Sequence, residues 1–273
     1  MSMRTILVPV EPHDLILSVL ETARVLAQRF DARIEGFAAR SILTGFAVGD
    51  IAILTKPELD HAELVRHARR VFEDHMLSRG VPRDGSGPSF AWRGDAPPGD
   101  GFVGSYGRAF DVIVVGRPGT AGTSPRMSLV EAALFESGRP ILVAPPEPPR
   151  SFGDAIAVAW NGSTETASTV ALAMPLLRRA ARVVVLGIQG WGEAPGAEQL
   201  ARHLERNGIR VETDVTSAGG RNIGEAILAR TAALGCDLLV KGAYTQSRLR
   251  QMVFGGATIH IMTRTTLPVF MAH

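Results

Sequence analysis

The strongest constraint on what this chain folds into is an internal repeat. Asp111-Val112-Ile113-Val114-Val115-Gly116 lies over Asp237-Leu238-Leu239-Val240-Lys241-Gly242 at an offset of 126, and Pro140-Ile141-Leu142-Val143-Ala144 lies over Pro268-Val269-Phe270-Met271-Ala272 at 128. Near the start, Ile6-Leu7-Val8-Pro9-Val10 lies over Ile156-Ala157-Val158-Ala159-Trp160 at 150. The first copy therefore carries about twenty extra residues, which we place in the apolar segment Ser41 to Lys56. That segment reads either as a loop packed on its own domain or as a flap over an apolar pocket, because Gly45 and Gly49 make a regular helix costly. A length of 273 residues suits one large or two moderate domains, and the repeat decides for two. The seam, Pro145-Pro146-Glu147-Pro148-Pro149, has few backbone donors and reads as a stiff linker, giving a first domain over 1–146 and a second over 151–273.

Within each copy, short apolar runs typical of buried parallel strands alternate with helix-period segments, the pattern of a doubly wound α/β sheet. Ile16, Val19, Leu20, Ala23, Leu26, Ala27 and Phe30 fall on one helical stripe, and Ala167, Val170, Ala171, Met174 and Leu177 answer in the second copy. Arg33 to Phe37 and Arg182 to Ile188 serve as second strands, Ser89 to Arg93 and Ile209 to Val215 as third strands. Asn222 with Glu225, and Ser128 with Glu131, have the spacing of helix N-terminal caps. Each domain is expected to hold five strands.

Composition removes several function classes. No apolar run approaches the ~18 residues of a membrane span, and the short run Thr5 to Val10 after Met1-Ser2-Met3-Arg4 is too brief for a secretion signal, so a cytoplasmic protein without a membrane partner is expected. A single cysteine, Cys236, forms no internal disulfide or cysteine metal cluster and reads as a small buried residue. The net charge is only +2, divided as −1 through Arg150 and +3 beyond it, too little basic density for a nucleic-acid partner.

In an open parallel sheet the ligand crevice lies beyond the carboxyl ends of the strands where the winding reverses. The loops concerned are Glu11-Pro12-His13 and Asn161-Gly162-Ser163 after the first strands, and Gly116-Arg117-Pro118-Gly119 and Gly242-Ala243-Tyr244-Thr245 after the fourth. Glycines there let backbone N–H groups approach a phosphate. Neither a glycine-lysine phosphate loop of the Walker type nor a dinucleotide fingerprint is present.

At these residues the chain resembles a tandem member of the universal stress protein family. The similarity is strongest from Asp237 through Gly242-Ala243-Tyr244-Thr245-Gln246-Ser247-Arg248-Leu249-Arg250 and Phe254-Gly255-Gly256-Ala257-Thr258 to Leu267-Pro268-Val269, with Ala159-Trp160-Asn161-Gly162-Ser163 opening the second copy. The resemblance implies a Rossmann-like, adenine nucleotide alpha hydrolase-like fold in two tandem five-stranded domains, paired as an intrachain pseudo-dimer through their last strands, with a further homodimer left open. It also implies ATP as the candidate cofactor. The family's ATP-binding pattern is Gly, two residues, Gly, nine residues, then Gly and Ser or Thr. It falls here on Gly242, Thr245, Gly255 and Gly256, so Thr245 and Gly256 depart, and Ser247 or Thr258 stands near enough to replace the missing hydroxyl. In the first copy Gly116 and Gly119 keep the opening spacing, but Leu129 and Val130 occupy its close. Relatives end their first strand in Asp, where this chain has Glu11 and Asn161.

Lys241 is one of two lysines and interrupts a buried strand, so it must be paired, snorkel outward or face the crevice. It reads either as a contact to an acidic ligand or as an ion pair with a carboxylate such as Glu225. Other candidates are weaker. His61, His67 and His75 fall on one expected helix, where Glu63 and His67, four residues apart, offer one edge of a metal site; His61 and His75 point elsewhere and no cluster completes it, so the stretch reads as a solvated helix face and no metal is expected. Gly104-Ser105-Tyr106-Gly107 lacks the spacing of a nucleophile elbow. Arg248 and Arg250 read as a phosphate contact or as a solvated pair. The expected function is stress-associated regulation by binding an adenine nucleotide or another small ligand in the second domain, without catalysis. The alternatives are an interaction scaffold whose sites have decayed and, third, a slow ATPase, for which no base, metal carboxylate and phosphate clamp occur together.

Overall fold

Valine, isoleucine and leucine runs form central strands that are buried on both sides, the edge strand Val211–Thr216 is half-buried to exposed, and helices cover both faces. The computed structural model describes residues 3–41, 61–119, 123–192, 195–243 and 256–273, with residue 61 described by its backbone alone. The strands are β1 (Thr5–Val10), β2 (Arg33–Ala38), β3 (Ser89–Arg93), β4 (Val112–Gly116) and β5 (Ile141–Ala144), then β6 (Ala155–Ala159), β7 (Arg182–Ile188), β8 (Val211–Thr216), β9 (Leu238–Gly242) and β10 (Val269–Ala272). Between them lie α1 (Ile16–Phe30), α2 (His61–Ser78), α3 (Gly101–Gly107), α4 (Met127–Glu136), α5 (Thr164–Leu177), α6 (Ala197–Arg206), α7 (Ile223–Ala233) and α8 (Ala257–Arg264). The expected strands are all present. The expected apolar segment Ser41 to Lys56 lies, apart from Ser41, outside the described residues, as do Arg248 and Arg250.

All ten strands form one sheet in the order β3-β2-β1-β4-β5-β10-β9-β6-β7-β8, so each run of five repeats the same winding. The two expected five-stranded sheets are thus continuous. Every neighbour is parallel except β5 and β10, which meet antiparallel with Leu142 opposite Phe270 and Val143 opposite Val269. This junction is the expected pairing of last strands. Both central side chains are buried, and each fully buried apolar residue there contributes ~1.5–3 kcal/mol. The pairing is reinforced at the helix ends, where the Arg29 guanidinium donates to Arg179 O at 2.7 Å while Arg179 donates to Arg29 O. Their spacing equals the repeat offset of 150, so the contact is reciprocal.

The aspartates that open the repeated motif have a structural task. Asp111 accepts from the backbone N–H groups of Arg4 and Thr5 at 2.7 and 3.0 Å, and Asp237 accepts from those of Asp154 and Ala155 at 3.2 and 3.0 Å. Each fastens the start of a central strand to the turn before its neighbour.

Alternation along the strands divides the core into two layers. Val8, Val158 and Phe270 face α1, α2, α5 and α6, whereas Leu7, Ala157 and Met271 face α3, α4, α7 and α8. The α1 stripe is buried at Val19, Leu20, Ala23, Leu26, Ala27 and Phe30, as expected. On α5 the buried residues are Thr166, Thr169, Val170, Ala173, Leu176 and Leu177, so the expected stripe is rotated: Ala167 and Ala171 are exposed and Met174 is half-buried. Asn222 caps α7, accepting from Glu225 N at 2.9 Å. Ser128 does not cap α4; Arg126 holds that position and Ser128 lies inside the helix. Cys236 is buried. Among the described residues no helix is long and apolar enough to cross a membrane.

Candidate functional site

The crevice of the second half opens where β6 and β9 end. Beyond β6, Gly162 takes a left-handed conformation (φ 76°), which turns the chain into α5. Ser163 is the N-cap of α5, its Oγ accepting from Thr166 N at 3.2 Å. Asn161 is buried, and its Oδ1 accepts from Ser163 N at 3.2 Å and from Thr166 Oγ1 at 2.7 Å. These three expected ligand residues therefore come together as the entry turn of α5, with the Asn161 and Ser163 side-chain oxygens already engaged. The β7 to α6 connection passes over them, since a Cβ on Gly192 would stand 2.3 Å from Asn161 O.

At the end of β9 the pleat sends two neighbours to opposite faces. Gly242 meets α5: a Cβ there would lie 2.5 Å from Thr166 N and 2.7 Å from Glu165 C. The glycine is required for backbone packing, a function separate from any phosphate. Lys241 turns to the α8 side, fully buried, and its Nζ donates to Gly242 O at 2.6 Å and to Thr258 Oγ1 at 2.9 Å. The expected partner Glu225 is elsewhere, against Arg221 at 3.6 Å on the surface. Among the described residues Lys241 forms no ion pair. Burial pulls its ammonium down from 10.5 to about 8, with the field of Glu165 opposing.

Lys241 reaches the first turn of α8. Gly256 is the N-cap of that helix and supplies no side-chain acceptor, and the bond to Thr258 sets the ammonium in the helix's first turn, where the N-terminal N–H groups begin. Two positive features converge at Thr258, a placement that favours an anion between them. Of the other expected residues, Thr245, Ser247 and Gly255 lie outside the described residues.

This topology, with crevices at the carboxyl ends of the central strands, is matched among solved structures. No family model and no curated protein matches the chain. A universal stress protein from Archaeoglobus fulgidus DSM 4304 superposes with a TM-score of 0.73 at 16% identity, over 99% of this chain and 96% of that one. The chain has the fold of the universal stress proteins. A universal stress protein described as putative, from Pseudomonas aeruginosa UCBPP-PA14, gives 0.56 at 16% identity, over 99% of this chain and 93% of that one. A Pseudomonas aeruginosa PAO1 protein of unknown function gives 0.59 at 13%, over 99% and 92%.

The first half of this stress-protein fold arranges the same place differently. Glu11, one residue beyond β1, is buried, and its Oε1 accepts from Arg126 N at 2.9 Å, at the N-terminus of α4. The Arg126 guanidinium stands 3.7 Å from Glu11 and 2.7 Å from Asp100. Burial raises the Glu11 carboxyl above its ordinary 4.5, while the Arg126 hydrogen bond and charge oppose. Its Oε2 and Arg126 Nη2 are buried without a hydrogen-bond partner among the described residues. A carboxylate of the protein thus lies at the N-terminus of α4. The triad escapes sequence reasoning because Arg126 lies 115 residues from Glu11, with no local spacing to announce it. Beside it His13 is buried, accepts from Leu15 N at 3.0 Å, and is pulled down to about 4 by burial.

The remaining candidates separate. His67 is exposed, and His75 is mostly buried against Glu21 at 3.2 Å instead of lying on a solvated face. Among the described residues no three His, Cys, Asp or Glu side chains gather to hold a metal. Ser105 sits within α3 and donates to Phe102 O at 3.2 Å.

Proposed function

We propose that the crevice formed by β9, α5 and α8 binds a small anionic ligand, with adenine nucleotides, ATP first, as the class to test, and that the protein regulates by binding, without a dedicated catalytic step. The observation carrying this reading is Lys241: a buried ammonium held by two neutral oxygens, one of them in the first turn of α8, a helix whose N-cap, Gly256, has no side chain. A buried charge without a contact counter-ion is costly, and an arriving phosphate or carboxylate relieves that cost.

The test is calorimetric titration of ATP, with and without Mg²⁺, at pH 8. There Lys241 is about half protonated, and an anion raises its affinity for the proton, so binding takes up a proton. The apparent enthalpy then differs between Tris and HEPES. In Lys241→Met the affinity falls and the buffer dependence disappears. A Lys241→Met protein that binds ATP as well as the parent rejects the site. No binding at millimolar nucleotide rejects the nucleotide reading and favours the interaction scaffold, which the engaged oxygens of Asn161 and Ser163 and the internal carboxylate of Glu11 support. Steady ADP release above that of Lys241→Met would overturn the non-catalytic part.

A further inference from the structure

The outer helix layer of the second half contains a cleft that the crevice does not use. It runs between α5 and α6 and has a volume of about 380 Å³, within the size range of small-molecule sites. Trp160, Val170, Met174 and Leu200 form its apolar surface. The Trp160 indole is fixed by donating to Pro195 O at 2.7 Å, which closes one end. At the other end stand Arg178, just beyond α5, and His203 of α6. Ala167, Ala171, Met174 and Arg178 follow one line along α5, a span of about 16 Å at 1.5 Å per residue.

The opening follows from side-chain size. Between α1 and α2 the corresponding seam is filled by Phe72 and Met76, both fully buried, and tied by Glu21 to His75. From α6 the buried side chains are Ala197, Leu200, Ala201 and Leu204. Among the described residues no side-chain hydrogen bond or ion pair joins α5 to α6, so the seam stays open.

Charge indicates the occupant. The lining includes no carboxylate, and the guanidinium of Arg178 has no hydrogen bond or ion pair with another described residue, although several other arginines of the protein are paired. An apolar trough with an unpaired guanidinium at its end complements an amphipathic acid. We propose that the α5–α6 cleft binds a small monocarboxylate with an aliphatic body, the chain lying along Trp160, Met174 and Leu200 and the carboxylate pairing with Arg178. The cleft is separate from Lys241, whose side chain turns to the α8 face of the sheet.

The probe is octanoate, titrated into the intact protein by calorimetry, with octan-1-ol as its uncharged counterpart. Octanoate is expected to bind saturably at one site. Ala171→Trp, at an exposed position lining the cleft, abolishes binding of both compounds while circular dichroism and thermal unfolding remain those of the parent. Arg178→Gln weakens octanoate about tenfold, the loss of one charge-assisted contact, and leaves octan-1-ol unchanged. The proposal is overturned if octanoate does not bind, if a folded Ala171→Trp protein binds it normally, or if Arg178→Gln weakens both compounds equally. Should Ala171→Trp fail to fold, Ala167→Phe blocks the same trough from the preceding turn and is judged by the same criteria.

Discussion

Replacing Lys241 by methionine isolates the energetic cost of its buried charge. Its ammonium is shifted from 10.5 in the unfolded chain to about 8 in the folded one. At ~1.4 kcal/mol per pH unit, that difference corresponds to about 3 kcal/mol. The folded-state value is depressed, so between pH 8 and 10.5 the unfolded chain holds a proton that the folded chain has released, and stability from this residue rises with pH. Below pH 8 both states are protonated and the full penalty applies. Lys241→Met removes the penalty and also withdraws the donor from Gly242 O and Thr258 Oγ1, a loss of ~1–2 kcal/mol with no pH dependence. The variant should therefore be as stable as the parent or slightly more stable at pH 7, and less stable at pH 10.5, a relative change of about 3 kcal/mol. The assay is urea unfolding of both proteins at steps between pH 7 and 10.5. Cys236 and Tyr106 are both raised by burial, so their contributions fall as pH rises, the opposite sign, but they are common to both proteins and cancel in the difference. A stability difference that stays flat to within ~0.5 kcal/mol across the range refutes the assignment of a charged, uncompensated Lys241.

Three further outcomes are expected. Gly242→Ala places a methyl 2.5 Å from Thr166 N, where backbone and not a flexible side chain obstructs it, and costs about 2–3 kcal/mol in urea or thermal unfolding. A cost under ~0.5 kcal/mol would mean that α5 does not sit on β9 as described. His13 is depressed from 6.5 to about 4, so its contribution is complete above pH 6.5 and about 3 kcal/mol is lost as pH falls through 4. His13→Asn keeps an acceptor for Leu15 N and should flatten that acid slope; an unchanged slope contradicts a neutral buried imidazole. Glu11 is raised, so its stabilising contribution is complete below 4.5 and is lost as pH rises through the folded value. Glu11→Gln should accordingly gain stability relative to the parent between pH 4 and 7, and a constant difference over that range in urea unfolding would refute it.

The repeat made the strands and helices of each half legible because it aligns them together, whereas the pairing between last strands was legible only through the resemblance to the universal stress protein family. The α5 face was misread for a definite physical reason. Thr166 and Thr169 are fully buried, their hydroxyls donating to Asn161 Oδ1, Glu165 O and Ala272 O, so hydropathy placed the core stripe on the exposed side through Ala167 and Ala171. The α4 cap was misread because Glu11, from another element, satisfies the helix end and leaves Ser128 no such role. Lys241 was identifiable from a charge inside an apolar run. Its partner was not, because neutral oxygens solvate it where a carboxylate was expected.

The two halves carry charges of opposite sign at different positions, each matched by a neutral residue in the other half. Glu11 and Asn161 both follow the first strand of their half, and Val115 and Lys241 share a place in the fourth. In the first half the acid comes from the first strand, the fourth-strand residue is a buried valine, and the helix N-terminus already faces an anion. In the second half the first-strand residue is a neutral amide consumed by its own turn, the fourth-strand residue is a cation, and the helix N-terminus has no side-chain cap. A crevice that contains its own carboxylate repels an incoming anion, and one that contains an ammonium attracts it. On the proposed reading, a preference of an anion for the second half therefore rests on two charge changes, Val to Lys on the fourth strand and Glu to Asn after the first, more than on the glycine spacing of either loop.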